Sequence, residues 1–194
     1  MIKKQKRDYI FGYLTIFFLI VLDQVTKYLA VYGLKEKNPF VIIDGVFEFH
    51  YLENESAAFG LDLITILHKI FNFSYFNNNP DALLTAKMVF FIVITSVVVC
   101  FLFYIYSKVP KMPKFIGLDW ILILFISGAI GNLIDRCVNN YVIDFFYFKL
   151  IDFPIFNVAD IYVTVAAGLF IILGLFYYKE EDFELLFPSK KRDT

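Results

Sequence analysis

Residues 128–160 contain three motifs that decide the fold: G-A-I-G-N-L-I-D-R at 128–136, V-I-D-F at 142–145 and F-N-V-A-D at 156–160. This stretch connects two apolar runs of hydrocarbon length. An ionised residue at the centre of a membrane helix costs roughly 2.5–3.5 kcal/mol, so polar groups retained beside such runs mark a candidate functional site. The candidates are Asn132, Asp135, Arg136, Asp144, Asn157 and Asp160.

The composition places the chain among membrane proteins. Of its 194 residues, 59% are hydrophobic and 20% are aromatic. The mean hydropathy is +0.66, whereas soluble domains are about 45–50% apolar. The formal net charge is −1 and no basic stripe is visible, so the sequence indicates no nucleic-acid partner.

Four apolar runs are long enough to cross about 30 Å of hydrocarbon as helices. The first follows a basic start, but no small-x-small cleavage site comes after it, so we expect a retained helix rather than a removed signal peptide. We therefore predict an all-α polytopic membrane protein with a single domain. The predicted spans cover about 9–31, 86–106, 115–134 and 156–178, with an outer β and loop region at about 32–85.

The region between the first two spans is predicted to hold a small extracytoplasmic β element. Asp44-Gly45 is a turn signal, and residues 46–52 are rich in strand formers. Residues 61–71 fit a short amphipathic helix. Residues 135–155, between the third and fourth spans, are predicted to form a polar and aromatic connection.

The distribution of positive charge predicts the orientation. Short loops rich in Lys and Arg stay on the cytoplasmic side, and more than half of the 18 such residues lie in the N-terminus, the 108–114 loop and the tail. We therefore expect both termini in the cytoplasm. This orientation brings one set of polar residues to the outer face, namely Asp23, Asn54, Asn132, Arg136, Asp144, Asn157 and Asp160.

Some polar residues of the spans allow two interpretations. Asp23 and Lys27 lie four apart on one helical face and can pair. They could form a snorkelling helix end or a polar wall of the site. Asp135 fits a structural partner of Lys27 or Arg136. Arg136 could instead be an interfacial anchor, or it could bind a lipid phosphate or the substrate backbone.

The cysteines and histidines do not support a metal site. Cys100 falls inside an apolar run and Cys137 lies beside the polar cluster, and neither is part of a C-x-x-C motif. His50 and His68 lack the spacing of a ligand pair. We therefore predict no metal and no other cofactor.

Five motifs of the chain resemble those of bacterial lipoprotein signal peptidases, the signal peptidase II family. They occur in the family's order and extend over nearly the whole chain. Ser56 is a departure, because the family usually has glycine there. The motifs are D-Q-V-T-K at 23–27, E-N-E-S-A-A-F-G at 53–60, G-N-L-I-D-R at 131–136, V-I-D-F at 142–145 and F-N-V-A-D at 156–160.

The resemblance implies a membrane aspartic endopeptidase without a cofactor. Such an enzyme removes signal peptides from prolipoproteins in the inner membrane, cutting before a cysteine that carries diacylglycerol. Matched by motif, Asp144 and Asp160 would be the catalytic pair. The residues implied to bind substrate or to shape the site are Asn54, Asn132, Arg136, Asn157 and Asp23.

Two alternatives to catalysis remain at this stage. Without the resemblance, Asp144 could equally cap a loop, and Asp160 could be a carboxylate favoured at a helix N-terminus. The competing class of protein is a small four-helix transporter or proton relay that uses the same carboxylates. A transporter is expected to hold its polar residues near the middle of the membrane, whereas the sequence predicts them near the outer ends of the spans.

Overall fold

The computed structural model describes residues 2–56, 63–72 and 74–186. Its elements are helices and three short strands. In chain order they are α1 (Ile2–Leu34), β1 (Phe40–Ile43), β2 (Phe47–Asn54), α2 (Leu63–Phe71), α3 (Ser74–Asn78), α4 (Pro80–Lys108), α5 (Ile116–Asn139), β3 (Val142–Tyr147), α6 (Val158–Phe176) and α7 (Glu180–Leu186).

Four helices, α1, α4, α5 and α6, are long and apolar enough to cross a membrane. Their outward faces expose large apolar side chains, including Phe18, Phe101 and Ile171, as expected for surfaces in contact with lipid. Helix α5 packs against the other three. The chain is therefore a multi-pass membrane protein, and the predicted four-helix fold with a small β element is confirmed.

Two glycines allow α5 to approach its neighbours closely. A Cβ atom on Gly128 would lie 2.6 Å from the main-chain oxygen of Ala159 in α6, and one on Gly131 would lie 2.5 Å from Asp23 Oδ2 in α1. Small residues permit such close packing between membrane helices. These two glycines thus let α1 and α6 approach α5 closely at the same end of the bundle.

The three strands form one antiparallel sheet in the order β1-β2-β3. A turn at Gly45, with φ of 68°, connects β1 to β2. Strand β3 follows α5 in the chain and is buried against α1, where Ile143 and Phe145 pack with Ala30. The sheet therefore lies against one end of the helix bundle.

A β-bulge sets which residues share the face of Asp144. Phe49 pairs with Phe146, but Leu52 pairs with Asp144, so the register shifts by one residue between these pairs. Directly opposed residues point to the same face of a sheet, and a one-residue shift reverses the face of all that follow. The bulge thus places Asn54, two residues beyond Leu52, on the face of Asp144.

The predicted local elements agree with the structure except near the third span. The strand predicted at 46–52 corresponds to β2. The amphipathic helix predicted at 61–71 corresponds to α2 from Leu63 onward, and residues 61 and 62 lie outside the described ranges. The connection predicted at 135–155 is wrong in two respects. Helix α5 continues to Asn139, so Asp135 and Arg136 lie on a helix, and Val142–Tyr147 is a strand. Non-local pairing with β2 forms this strand.

Candidate active site

Asp144 lies on β3 with only 1% of its surface exposed. Both of its carboxylate oxygens accept hydrogen bonds from asparagine side chains. Asn54 Nδ2 donates to Oδ2 at 2.8 Å, and Asn157 Nδ2 donates to Oδ1 at 2.6 Å. The carboxylate is therefore held in one orientation by groups from β2 and from the start of α6.

Asp160 lies in the first turn of α6, where a capping box fixes it. Asn157 is the N-cap residue, and its Oδ1 accepts a hydrogen bond from the Asp160 main-chain N at 3.0 Å. In return, the Asn157 main-chain N donates to Asp160 Oδ2 at 3.1 Å. Asn132 Nδ2 donates to Asp160 Oδ1 at 2.9 Å. The box satisfies main-chain donors of the helix and orients the carboxylate as well.

The two carboxylates belong to one electrostatic unit. Asn157 bonds to both of them. The pKa of Asp144 is raised to about 7, mainly by burial and also by the negative charge of Asp160, against the opposing effect of its hydrogen bonds from Asn54 and Asn157. The raised pKa leaves Asp144 partly protonated near neutral pH, beside the carboxylate of Asp160.

Lys27 of α1 is buried next to this pair, with 1% of its surface exposed. Its Nζ lies 2.9 Å from Asp23 Oδ2 and 2.9 Å from Asp135 Oδ2. It also donates to Asn132 Oδ1 at 2.8 Å. The predicted pairing of Asp23 with Lys27 is confirmed, and the snorkelling alternative for Lys27 is excluded by its burial.

Lys27, Asp23 and Asp135 form an ion cluster. Its two acids connect the cluster to the two elements that carry the carboxylate pair. Asp23 Oδ1 accepts a hydrogen bond from the Ala159 main-chain N of α6 at 2.9 Å. Asp135 Oδ2 accepts one from the Ile143 main-chain N of β3 at 3.1 Å. Each acid therefore ties one element of the site to the ion cluster. Of the two partners predicted for Asp135, the structure pairs it with Lys27.

Arg136 lies on the same end of α5. Its Nη2 donates to the main-chain oxygen of Ser56 at 3.3 Å, and its Nη1 donates to that of Asn132 at 3.4 Å. Its guanidinium lies over the ring of Phe91, 5.1 Å from the centroid. Arg136 Nε is buried and has no hydrogen-bond partner within the described ranges. This donor is a candidate contact for a bound molecule.

The structure brings all the predicted site residues into one connected group. Asn54 and Asn157 contact Asp144, Asn132 contacts Asp160, Arg136 contacts the Asn132 main chain, and Asp23 joins through Lys27. The sequence analysis left Lys27 open between a snorkelling helix end and a polar wall of the site, and its spacing from Asp23 predicted only that the two can pair. Within the described part of the chain, no three His, Cys, Asp or Glu side chains form a metal-ligand group.

Fold and site together define a multi-pass membrane protein whose helices and sheet hold a carboxylate pair, with Asp144 buried and Asp160 half-buried. Residues 15–176 match the sequence profile of the family described as Signal peptidase (SPase) II. The chain therefore belongs to the signal peptidase II family and is a membrane-spanning protease.

Individual relatives agree over most of their length. The chain is 38% identical to a lipoprotein signal peptidase of Clostridium tetani, with 85% of this chain and 90% of the relative covered. It is 39% identical to one of Caldanaerobacter subterraneus, covering 81% and 88% of the two chains. For one of Streptococcus pyogenes the identity is 36%, with coverage of 88% and 94%.

Two solved structures share the fold. Both are described as bacterial membrane enzyme structures obtained by the in meso method, at 2.3 and 1.9 Å resolution. Each is 28% identical to this chain. The TM-scores are 0.64 and 0.66, with 84% and 87% of this chain and 86% and 94% of the other chain covered.

Proposed function

We propose that this protein is an aspartic endopeptidase that removes signal peptides from prolipoproteins, with Asp144 and Asp160 as its catalytic pair. Membership of the signal peptidase II family supports the reaction. The observation that carries the assignment of residues is the link through Asn157 between the buried carboxylate of Asp144 and the half-buried one of Asp160, with the pKa of Asp144 raised to about 7.

Peptide hydrolysis needs a base to activate water and an acid to polarise the carbonyl and protonate the leaving amine. A carboxylate pair that shares one proton supplies both. Because burial raises the pKa of Asp144, the shared proton resides mainly there, and Asp144 donates to the scissile carbonyl. Asp160 accepts the proton of the attacking water. Asn54, Asn132 and Asn157 keep the oxygens in place during these transfers.

The substrates proposed are precursors whose cysteine carries diacylglycerol, cut immediately before that cysteine. The enzyme would lie in the inner membrane of a bacterium, with its termini in the cytoplasm, its site at the outer face and membrane lipid around its helices. The positive-inside distribution of Lys and Arg supports this orientation. A site at the bundle end beside the sheet is suited to a substrate held in the bilayer by its lipid.

Two kinds of role are proposed for the surrounding residues. Arg136, whose buried Nε has no hydrogen-bond partner among the residues that the structure describes, is proposed to donate to the substrate backbone. Asn54, Asn132 and Asn157 are proposed to contact both substrate and carboxylates. Asp23 is fully buried, and we assign it to shaping the site through α6. The transporter alternative is not favoured, because the family and the relatives are peptidases.

The direct test is processing of a precursor by the purified protein. The wild type should shorten a diacylglyceryl-modified precursor and leave an unmodified one uncut. Asp144→Asn and Asp160→Asn should each abolish cleavage while remaining inserted in the membrane. Asp119→Asn is a matched control, because Asp119 is a part-buried carboxylate paired with Lys111 outside the site. Full activity in either site variant would remove that residue from the catalytic role.

A further inference from the structure

Lys27 is a buried cation that contacts an amide of the site in addition to two carboxylates. An ammonium group has three donors and no acceptor. Its three polar neighbours, Asp23, Asp135 and Asn132, lie at 2.8–2.9 Å, so all three donors are engaged. Two of these neighbours are charged, but the third is an amide that bonds directly to the carboxylate pair.

Three asparagine amides donate to the carboxylate pair, and each must present its nitrogen rather than its oxygen. For two of them a main-chain N–H holds the oxygen. Asn54 Oδ1 accepts from Ser56 N at 2.9 Å, and Asn157 Oδ1 accepts from Asp160 N at 3.0 Å. These donors are part of the backbone, and no side-chain substitution removes them.

Asn132 is different because a side chain provides its strongest anchor. Lys27 Nζ donates to Asn132 Oδ1 at 2.8 Å, and Asn157 Nδ2 makes a longer contact of 3.1 Å with the same oxygen. A hydrogen bond from a charged donor is roughly twice as strong as one between neutral groups. Since Lys27 cannot accept, the oxygen must face it, and Asn132 Nδ2 must then face Asp160 Oδ1, 2.9 Å away.

The charge of Lys27 also acts on the pair. It favours the ionised form of Asp144 and so lowers the pKa of that carboxyl, against burial and the charge of Asp160. Groups from every neighbouring element contribute to the local field. The charged and titratable groups that interact with Lys27 or with its charged neighbours are Asp23 of α1, Asp135 and Arg136 of α5, Asp144 of β3, and Asp160 and Tyr162 of α6.

We propose that Lys27 is a positioning residue for the catalytic pair, fixing the amide of Asn132 toward Asp160 while its positive charge offsets part of the negative charge of the pair. This proposal rests on the proposed function of Asp144 and Asp160. Lys27 is then more than a structural partner of Asp23 and Asp135, because it holds Asn132 Oδ1 and Asn132 Nδ2 in turn donates to Asp160 Oδ1.

The test measures kcat, KM and the pH dependence of precursor cleavage for Lys27→Met. The variant should bind precursor with a KM close to that of the wild type, and its kcat should fall between about 10-fold and 100-fold, because the carboxylates lose their alignment. Removing a nearby positive charge raises the pKa of a carboxyl group. Since Lys27 lowers the pKa of Asp144, which acts in its protonated form, the alkaline limb of the pH profile should move to higher pH, by about 1 unit.

A second variant separates alignment from charge and covers a failure of the first to fold. Lys27→Met combined with Asp135→Asn removes one charge of each sign, so the net charge of the cluster is unchanged. We expect its alkaline limb to return toward that of the wild type, while kcat stays at least about 10-fold below that of the single variant Asp135→Asn, which is the reference for alignment. A kcat equal to that of the reference would overturn the alignment role.

Lys111→Met is the matched control. Lys111 is also buried, with 4% of its side chain exposed, and it pairs with Asp119 at 2.5 Å outside the site. The Lys111→Met variant should be less stable than the wild type, with no change in the pH profile of cleavage. If Lys27→Met behaves like Lys111→Met, losing activity only in proportion to its unfolded fraction, the proposal is refuted. Cleavage by Asp144→Asn or Asp160→Asn would instead refute the proposed function.

Discussion

Asn157 combines two tasks that substitution by alanine and by serine should separate. It is the N-cap of α6, where its Oδ1 accepts from Asp160 N. Its Nδ2 donates to Asp144 Oδ1 at 2.6 Å and to Asn132 Oδ1 at 3.1 Å. Serine is a good N-cap residue, but its shorter side chain has no amide to reach Asp144.

The expected loss of stability follows from these contacts. Replacing an N-cap asparagine by alanine costs about 0.5–2 kcal/mol. Leaving the buried acceptors on Asp144 and Asn132 without this donor adds about 1–3 kcal/mol. Asn157→Ala should therefore lose both contributions, whereas Asn157→Ser should lose only the second. Serine should be the more stable variant by about 1 kcal/mol.

The two variants should share one catalytic defect. A hydrogen bond to the ionised form of a carboxyl group lowers its pKa, and Asn157 makes such a bond to Asp144. Without it, the pKa of Asp144 should rise. Because Asp144 acts in its protonated form, the alkaline limb of the pH profile should move to higher pH in both variants. Their kcat should also fall, because Asp144 loses the donor that orients its Oδ1.

The assay pairs thermal unfolding in detergent with precursor cleavage between about pH 6 and 9, a range set by the titration of the pair. Asn157→Ser is the informative variant, because its cap is preserved. Wild-type activity and an unchanged pH profile in this variant would refute the assigned contact with Asp144. Equal destabilisation by serine and alanine would refute the separation of capping from catalysis.

Three further predictions concern stability and substrate binding. Since burial raises the pKa of Asp144 to about 7, the native state loses stability as pH rises through 7. Asp144→Asn should therefore unfold at a higher temperature than the wild type at pH 8, with a gain of at most about 4 kcal/mol, and the difference should vanish below about pH 4. Gly131→Ala places a Cβ 2.5 Å from Asp23 Oδ2 and should destabilise the protein by about 1–3 kcal/mol. Gly168→Ala, with nothing within 4 Å of the added atom, should instead stabilise it by about 0.5–1 kcal/mol, and thermal unfolding compares the two. Arg136→Lys keeps the charge but loses the planar donor group, so we expect a KM about 10-fold higher, measured with the lipidated precursor.

The two members of the carboxylate pair differ in how far the sequence specifies their positions. Asn157 and Asp160 are three residues apart at the start of an apolar helix, and this spacing allows a capping box. Their mutual geometry is therefore local. Asp144 reaches the same place through the pairing of β3 with β2 and through a register shift between Phe49 and Leu52. Nothing in V-I-D-F by itself specifies that shift.

The ion cluster shows a similar division. The separation of Asp23 and Lys27 by four residues predicts an ion pair on one helical face, and the structure has it. The sequence left the depth of Lys27 open between an interfacial end and a polar wall. Its burial depends on Gly131, which lets α5 approach Asp23, and on Asn132 and Asp135, which supply its remaining partners.

The sequence by itself determined the membrane class, the number of spans, the family motifs and the local pairs, because hydrophobic length and short spacings act within one segment. Only the tertiary structure decided that residues 142–147 form a strand, that Asn54 faces Asp144, and that Lys27 bonds to a residue 105 positions away. These features come from strand pairing and helix packing between distant segments. Each of these features needs a partner from a distant segment, and a local sequence pattern does not identify that partner.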